Sequence, residues 1–257
     1  MDYRYISSER EDAFSVITMR VPERRNALSE PHLQELLHAF QNAGESDARG
    51  VILAAEGPVF CAGHDFRDLA KRDQAETSEL LGICRQVVEA IQGIPQVVIA
   101  QVEGLATAGG CQLVASCDLA VAGVSSRFAV PGGKGGWFCT TPGVALARAV
   151  GRKRAVEMLL TGDAIDAATA YAWGLVNRVV PDDAVAEETR ELLRRATRGS
   201  ALSKEIGKQA FYKQVDLDLP RAYDLATEVM ARASQIDDAR EGVQAFLEKR
   251  PARYKNH

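Results

Sequence analysis

The sequence predicts an α/β fold: a mostly parallel sheet with crossover helices, followed by a helical C-terminal region. Two observations carry this. Strand and helix signals alternate from residue 13 to about residue 142. Beyond Pro142 strand signals nearly vanish, and one amphipathic helix follows another.

In chain order, Ala13 to Met19 is an apolar, partly β-branched run and reads as a strand. Ser29 opens a helix, with Pro31 tolerated in its first turn. Leu33, Leu36, Leu37 and Phe40 fall on one face of it. Val51-Ile52-Leu53 is a short strand, and Leu80, Leu81, Cys84, Val87, Val88 and Ile91 mark a second amphipathic helix. Gln96 to Val102 reads as a strand, Ala108 to Ser116 as a short helix and Leu119 to Ala122 as a strand. Helices are then expected at Val144 to Val150, Lys153 to Leu160, Asp166 to Trp173 and Asp183 to Ala196. Three more follow at Ser203 to Phe211, Pro220 to Ser234 and Asp238 to Lys249. Gly174 stands where a helix-terminating glycine belongs. Tyr171 and Trp173 read as core residues of their helix.

Composition limits the function. Of 257 residues, 46% are apolar and 26% charged, so the chain buries a core and is not disordered. The 31 basic and 35 acidic residues give a net charge of −4. No basic excess exists to neutralise a phosphate backbone, which argues against a nucleic-acid partner. The longest near-apolar run, Gln112 to Val124, contains Ser116 and Asp118 and falls short of the ~20 residues of a membrane span. No membrane partner is expected. The N-terminus lacks the apolar core of a secretory signal and is too acidic for a mitochondrial presequence. The five cysteines are an odd number without C-x-x-C spacing, so neither a disulfide framework nor a metal site is expected. These readings together predict a cytoplasmic location.

Two strand-to-helix turns draw attention. In Pro58-Val59-Phe60-Cys61-Ala62-Gly63-His64-Asp65-Phe66, small residues let another molecule approach the backbone, and the His64 amide follows a glycine. The same pattern also fits a plain turn capped by Asp65. In Gly104 to Leu113, glycines at a helix N-terminus expose N–H groups in the positive end of the dipole. Close helix–sheet packing explains this segment equally well. The spacing is neither G-x-G-x-x-G nor G-x-x-x-x-G-K-[ST], which weighs against a nucleotide-binding reading. Together, two such turns can converge on one carbonyl oxygen.

That pair, with several further motifs, resembles the crotonase (enoyl-CoA hydratase/isomerase) superfamily over nearly the whole chain. The motifs are Arg25-Asn26-Ala27-Leu28, Phe60 to Asp65, Gly104 to Leu119, Phe128 to Gly132, Leu159 to Asp163, Gly174 to Val180 and Ala245 to Arg250. The run Val130-Pro131-Gly132 followed by Phe138 to Leu146 resembles one subgroup in particular. The resemblance implies a spiral of ββα units with a C-terminal helical region. Residues 1–195 would form the core with the acyl-CoA site, and residues 196–257 a helical trimerisation region. The partner implied is an acyl-CoA thioester. No separate cofactor is implied, because coenzyme A is part of the substrate. The assembly implied is a homotrimer, or a homohexamer built from two trimers.

Site residues carry over by position. The amides of His64 and Gly109 would form an oxyanion hole for the thioester. Arg25, Ala27, Ala62, Asp65, Trp137, Thr140 and Lys249 would contact the substrate, with Ala27 and Ala62 at the adenine and Lys249 at the CoA phosphates across a subunit boundary. Hydratases of the family use two glutamates, which stand at the positions of Gln112 and Gly132 here. Neither residue titrates near neutrality, and each lost acid or base costs roughly 10²–10⁴ in rate. Hydration by the usual route is therefore expected to be weak, and glutamates at both positions to raise it up to ~10²-fold if geometry permits. Ala62-Gly63-His64-Asp65 also resembles the family's methylmalonyl-CoA decarboxylases, so decarboxylation and non-catalytic acyl-CoA binding stay open beside hydratase or isomerase chemistry. The His64 ring is a candidate acid or base. Asp118 is expected to bond local backbone, and Cys139 to be an inert thiol.

Overall fold

In the computed structural model, which describes residues 2–255, nine strands are found: β1 (Ile6–Glu11), β2 (Phe14–Met19), β3 (Gly50–Ala55), β4 (Val97–Val102), β5 (Leu105–Thr107), β6 (Leu119–Gly123), β7 (Arg127–Ala129), β8 (Ile165–Asp166) and β9 (Arg178–Val180). The helices are α1 (Glu30–Glu45), α2 (Phe66–Leu69), α3 (Gln74–Gly93), α4 (Gly109–Ser116), α5 (Thr140–Val150), α6 (Arg152–Thr161), α7 (Ala167–Trp173), α8 (Val185–Ala196), α9 (Ala201–Gln214), α10 (Leu219–Ala233) and α11 (Asp237–Leu247).

The main sheet has the order β1-β2-β3-β4-β6-β9. β1 and β2 form an antiparallel hairpin, and every later pair is parallel. A small second sheet, β5-β7-β8, stands beside it. Successive side chains of a strand point to opposite faces, and both faces of the main sheet are buried. Val51, Leu53, Val98 and Ala100 pack with Leu33, Leu36 and Phe40 of α1 and with α3 and α4. Ile52, Ala54, Ile99 and Val121 pack under Val185 and Leu193 of α8.

The expected strands and helices are present to within a few residues at their ends. Ser29 is the N-cap of α1 and Pro31 lies in its first turn. Gly174 ends α7 with φ of 86°. β1 went unread in the sequence because its ISSERE run is polar, as an edge strand with five of six residues away from the core allows. β8 and β9, beyond Pro142, are too short to show a period of two. Tyr171, expected in the core, is instead exposed, while Trp173 packs at the edge of the core beneath Arg154. Two residues apart on a helix, Tyr171 and Trp173 point to nearly opposite sides, so only one of them can face the core. The five cysteines are free, buried thiols. Among the described residues no helix is long and apolar enough to cross a membrane.

A buried ion pair fastens α9 to the sheet. Asp118, at the start of β6, accepts from the Val98 amide of β4 at 2.7 Å, as its expected local role requires. It also pairs with Lys208 of α9 at 2.8 Å and accepts from the Tyr212 hydroxyl at 2.7 Å. The Lys208 ammonium donates further to the carbonyls of Ile91 and Gln96. Burial lowers the Lys208 pKa and raises that of Tyr212, so both groups are held in a desolvated place by specific partners. Lys208→Met leaves Asp118 buried without its counter-charge and is expected to cost about 3–5 kcal/mol. Tyr212→Phe removes one neutral donor and is expected to cost about 1–2 kcal/mol. Urea denaturation followed by circular dichroism measures both; equal losses would mean that the charge contributes nothing beyond a hydrogen bond.

Candidate active site

The loop before α1 sets the first turn in place. Arg25 and Asn26 both take left-handed backbone, with φ of 55° and 51°. Asn26, fully buried, accepts from the Val21 amide and donates to the carbonyls of Glu56 and Val59, which ties this loop to the segment after β3. Leu28 then pairs with the turn like a strand: its N–H donates to Gly63 O at 2.8 Å, and its carbonyl accepts from Asp65 N at 3.1 Å. His64 lies between these two bonded positions, so its own N–H faces the other way.

The second turn lies against the first. Cys61 bridges to Ala106 of β5, and Thr107 N donates to Cys61 O at 2.9 Å. Gly63 has φ of 83°, and a Cβ there would stand 2.8 Å from Ala108 Cβ and 2.9 Å from Gly109 N. Ala108 itself has φ of 50° and ψ of −115°, a conformation that costs a non-glycine residue about 1–3 kcal/mol. It turns the Gly109 N–H, first of α4, towards the cleft rather than along the chain. Among the described residues neither the His64 nor the Gly109 N–H has an acceptor within the protein. Two adjacent free amides, one of them at the positive end of α4, can stabilise a negative charge developing on a carbonyl oxygen.

A cleft opens at these amides. Its lining comes from Ala62, His64, Ala108 and Gly109, then from Gly132 and the loop Trp137 to Pro142, with Phe66 and Leu81 opposite. The two His64 ring nitrogens are buried and lack partners, and the ring sits 6.3 Å from that of Trp137. Burial depresses the His64 pKa, so its imidazole is neutral at pH 7. Cys139 accepts the Gly132 N–H through Sγ at 3.3 Å, and burial pushes its thiol up, away from thiolate chemistry.

The remaining expected residues divide clearly. Ala62, Trp137 and Thr140 line the cleft; Arg25, Ala27, Asp65 and Lys249 do not. Asp65 caps α2, accepting from Arg67 N at 2.9 Å, with Arg24 3.7 Å away. The Ala27 carbonyl is engaged by His32. Lys249 is exposed just after α11, with φ of 54°. Gln112 is buried one turn into α4, its Oε1 without a partner, and does not line the cleft. Gly132 does line it, but a Cβ there would lie 2.1 Å from Trp137 O and 2.7 Å from Cys139 Sγ. The expected gain from a glutamate at 132 therefore meets a backbone carbonyl already in its place. Phe66, Leu81 and Pro142 were not singled out from the sequence as wall residues; only Phe66 adjoins one of the glycine-bearing turns, and the other two come to the cleft through the fold.

Comparison with known proteins places this geometry. The model of the family "Enoyl-CoA hydratase/isomerase" matches residues 9–257. Enoyl-CoA hydratase domain-containing protein 3, mitochondrial, of Homo sapiens is 44% identical over 249 residues, covering 96% of this chain and 82% of the relative. Its Rattus norvegicus counterpart is 43% identical over 249 residues, with 96% and 83% covered. A solved enoyl-CoA hydratase of Mycobacterium smegmatis superposes with a TM-score of 0.95 at 43% identity, covering 98% of this chain and 99% of that one. The names of the rat and human relatives overturn the expected cytoplasmic location, since they point to mitochondria. Reduced cysteines separate reducing from oxidising surroundings and do not distinguish one reducing compartment from another. The chain has the crotonase fold and belongs to the enoyl-CoA hydratase/isomerase family.

Proposed function

We propose that this chain binds an acyl-CoA thioester with its carbonyl oxygen between the His64 and Gly109 amides and stabilises the enolate formed there, without paired glutamates. The supporting observation is the pair of free N–H groups beside a cleft whose lining holds no carboxylate. Each such donor is worth roughly 10²–10³ in rate. The His64 imidazole is the candidate base in the cleft: it is neutral at pH 7 and its ring nitrogens make no hydrogen bond, although burial makes it a weaker base than a free imidazole. It would accept the proton α to the thioester as the electron pair moves to the oxygen. Decarboxylation uses the same hole, but no cation lines the cleft to hold a substrate carboxylate.

Exchange of the α-protons of butyryl-CoA in deuterium oxide, followed by NMR, tests this. Wild type is expected to speed exchange. His64→Ala keeps the backbone amide and is expected to lower exchange by ~10²-fold, with thioester affinity largely retained. Binding without faster exchange would make the chain a carrier, and carbon dioxide loss from methylmalonyl-CoA would make it a decarboxylase.

Hydration of crotonyl-CoA is expected to be slow. Gly132→Glu, alone or with Gln112→Glu, is expected to cost about 1–3 kcal/mol by overpacking the Trp137–Cys139 loop and to leave hydration low. Thermal unfolding and a hydration assay on the folded variants check this. A stable double variant with fast hydration would show that the loop yields to a side chain.

Assembly as a trimer, or as a dimer of trimers, belongs to the same reading. Leu219, Tyr223 and Met230 of α10 and Phe246 of α11 are each at least 68% exposed, a cost that association relieves. Lys249, away from its own cleft, would then serve a neighbour's CoA. Light scattering at micromolar protein is expected to give a mass that is a multiple of three chains. A monomer that binds acyl-CoA fully would contradict it.

A further inference from the structure

The wall of the cleft beyond the two amides is built from Phe66, Leu81, Trp137, Phe138 and Pro142. No Asp, Glu, Lys or Arg lines it. The two titratable groups that do, His64 and Cys139, are both shifted towards their neutral forms. Two cations on the flanking segments, Arg72 and Lys134, are engaged elsewhere, and Arg67, next to Phe66, does not line the cleft. Arg72 is held between Glu30 at 2.6 Å and Asp68 at 3.0 Å, and Lys134 pairs with Asp163 at 2.5 Å. Three rings at the mouth stay open to water: Phe66 is 73% exposed, and Trp137 and Phe138 are 44% exposed each.

We propose that this cleft selects acyl groups that are uncharged at their far end and rejects those that end in a carboxylate. The inference rests on the acyl-CoA reading above and names its substrate class. With the thioester oxygen fixed at His64 and Gly109, the acyl chain continues into the apolar wall. A neutral chain there covers the three rings and removes their surface from water. A terminal carboxylate would be taken from water with no cation in the lining to replace it, which is unfavourable. Leu81, on α3 across from the loop Trp137 to Pro142, stands where a single cation would reverse this preference.

Hexanoyl-CoA and adipyl-CoA share a six-carbon chain and differ by the terminal carboxylate. Calorimetry of both, with CoA alone as reference, is the test. The wild-type protein is expected to bind hexanoyl-CoA at least about tenfold more tightly than adipyl-CoA, the difference set by the desolvated carboxylate. Leu81→Arg is expected to narrow that ratio or reverse it by tightening adipyl-CoA, a change that a simple loss of packing would not produce. Equal wild-type affinities for the two thioesters, both above that of CoA, would overturn the inference and leave the acyl-CoA reading standing. Thioesters that bind no better than CoA alone would overturn that reading, and the inference with it. The wild-type comparison decides the matter even if Leu81→Arg fails to fold.

Discussion

The structure turns on one close approach: the turn after β3 lies directly against the turn before α4. A Cβ at Gly63 would touch Ala108 and Gly109, and a Cβ at Gly110 would lie 2.2 Å from Cys61 O. No side chain fits between these segments, so their backbones set each other's conformation. The strain at Ala108 is tolerated because its N–H is bonded to Ala129 of β7 and the surrounding packing leaves no alternative. Asn26 holds the first turn from the other side through three hydrogen bonds. The product of these constraints is two free amides side by side, preorganised before any ligand arrives. That preorganisation is what gives such donors their effect, since no reorganisation is needed when charge develops.

The loop from Gly132 to Cys139 explains why the cleft is neutral. Trp137 N donates to Gly132 O at 2.9 Å, and Gly132 N donates to the Cys139 thiol, so the loop closes on itself across position 132. The Trp137 carbonyl then fills the volume a side chain at 132 would need. Gly132 and the tight loop are thus one feature: the glycine permits the loop, and the loop presents Trp137 and Phe138 to the cleft. An acidic residue and this aromatic wall exclude each other in the same backbone.

Much of this was legible in the sequence because it rests on local signals. Apolar periodicity located the central strands and helices, and glycines after strands located both turns. Less was legible where the determinant is spatial. β5, β7, β8 and β9 are two or three residues long and borrow their conformation from neighbours in the sheets. Asp118 read as a local bonder, but its charge partner comes 90 residues later, and nothing in the Lys208 helix pattern distinguishes that lysine from a solvated one. Gly132 read as a vacant place for a glutamate. A glycine in a sequence looks the same whether its missing side chain leaves a space or the space is already filled. Lys249 and Arg25 match family positions, yet neither lines the cleft of one chain.

The two ends of the parallel strands divide the work. Asp118, Gln96 and Val98 stand at the N-terminal ends of β4 and β6, and there the buried charge of Lys208 is matched and α9 is fastened. The turns that make the cleft follow the C-terminal ends of β3 and β5, the end of the strands at which ligands of parallel sheets bind. A buried ion pair is costly to assemble and long-ranged in a medium of low dielectric. Set at the N-terminal ends of two central strands, with its carboxylate and ammonium compensating each other, it anchors α9 to the sheet at the end opposite the turns that make the cleft. The cleft itself is left to backbone dipoles, to one neutral imidazole and to apolar walls. If the cleft holds a thioester as proposed, the charge that these groups favour is one that appears on the thioester oxygen, rather than one that the ligand carries in.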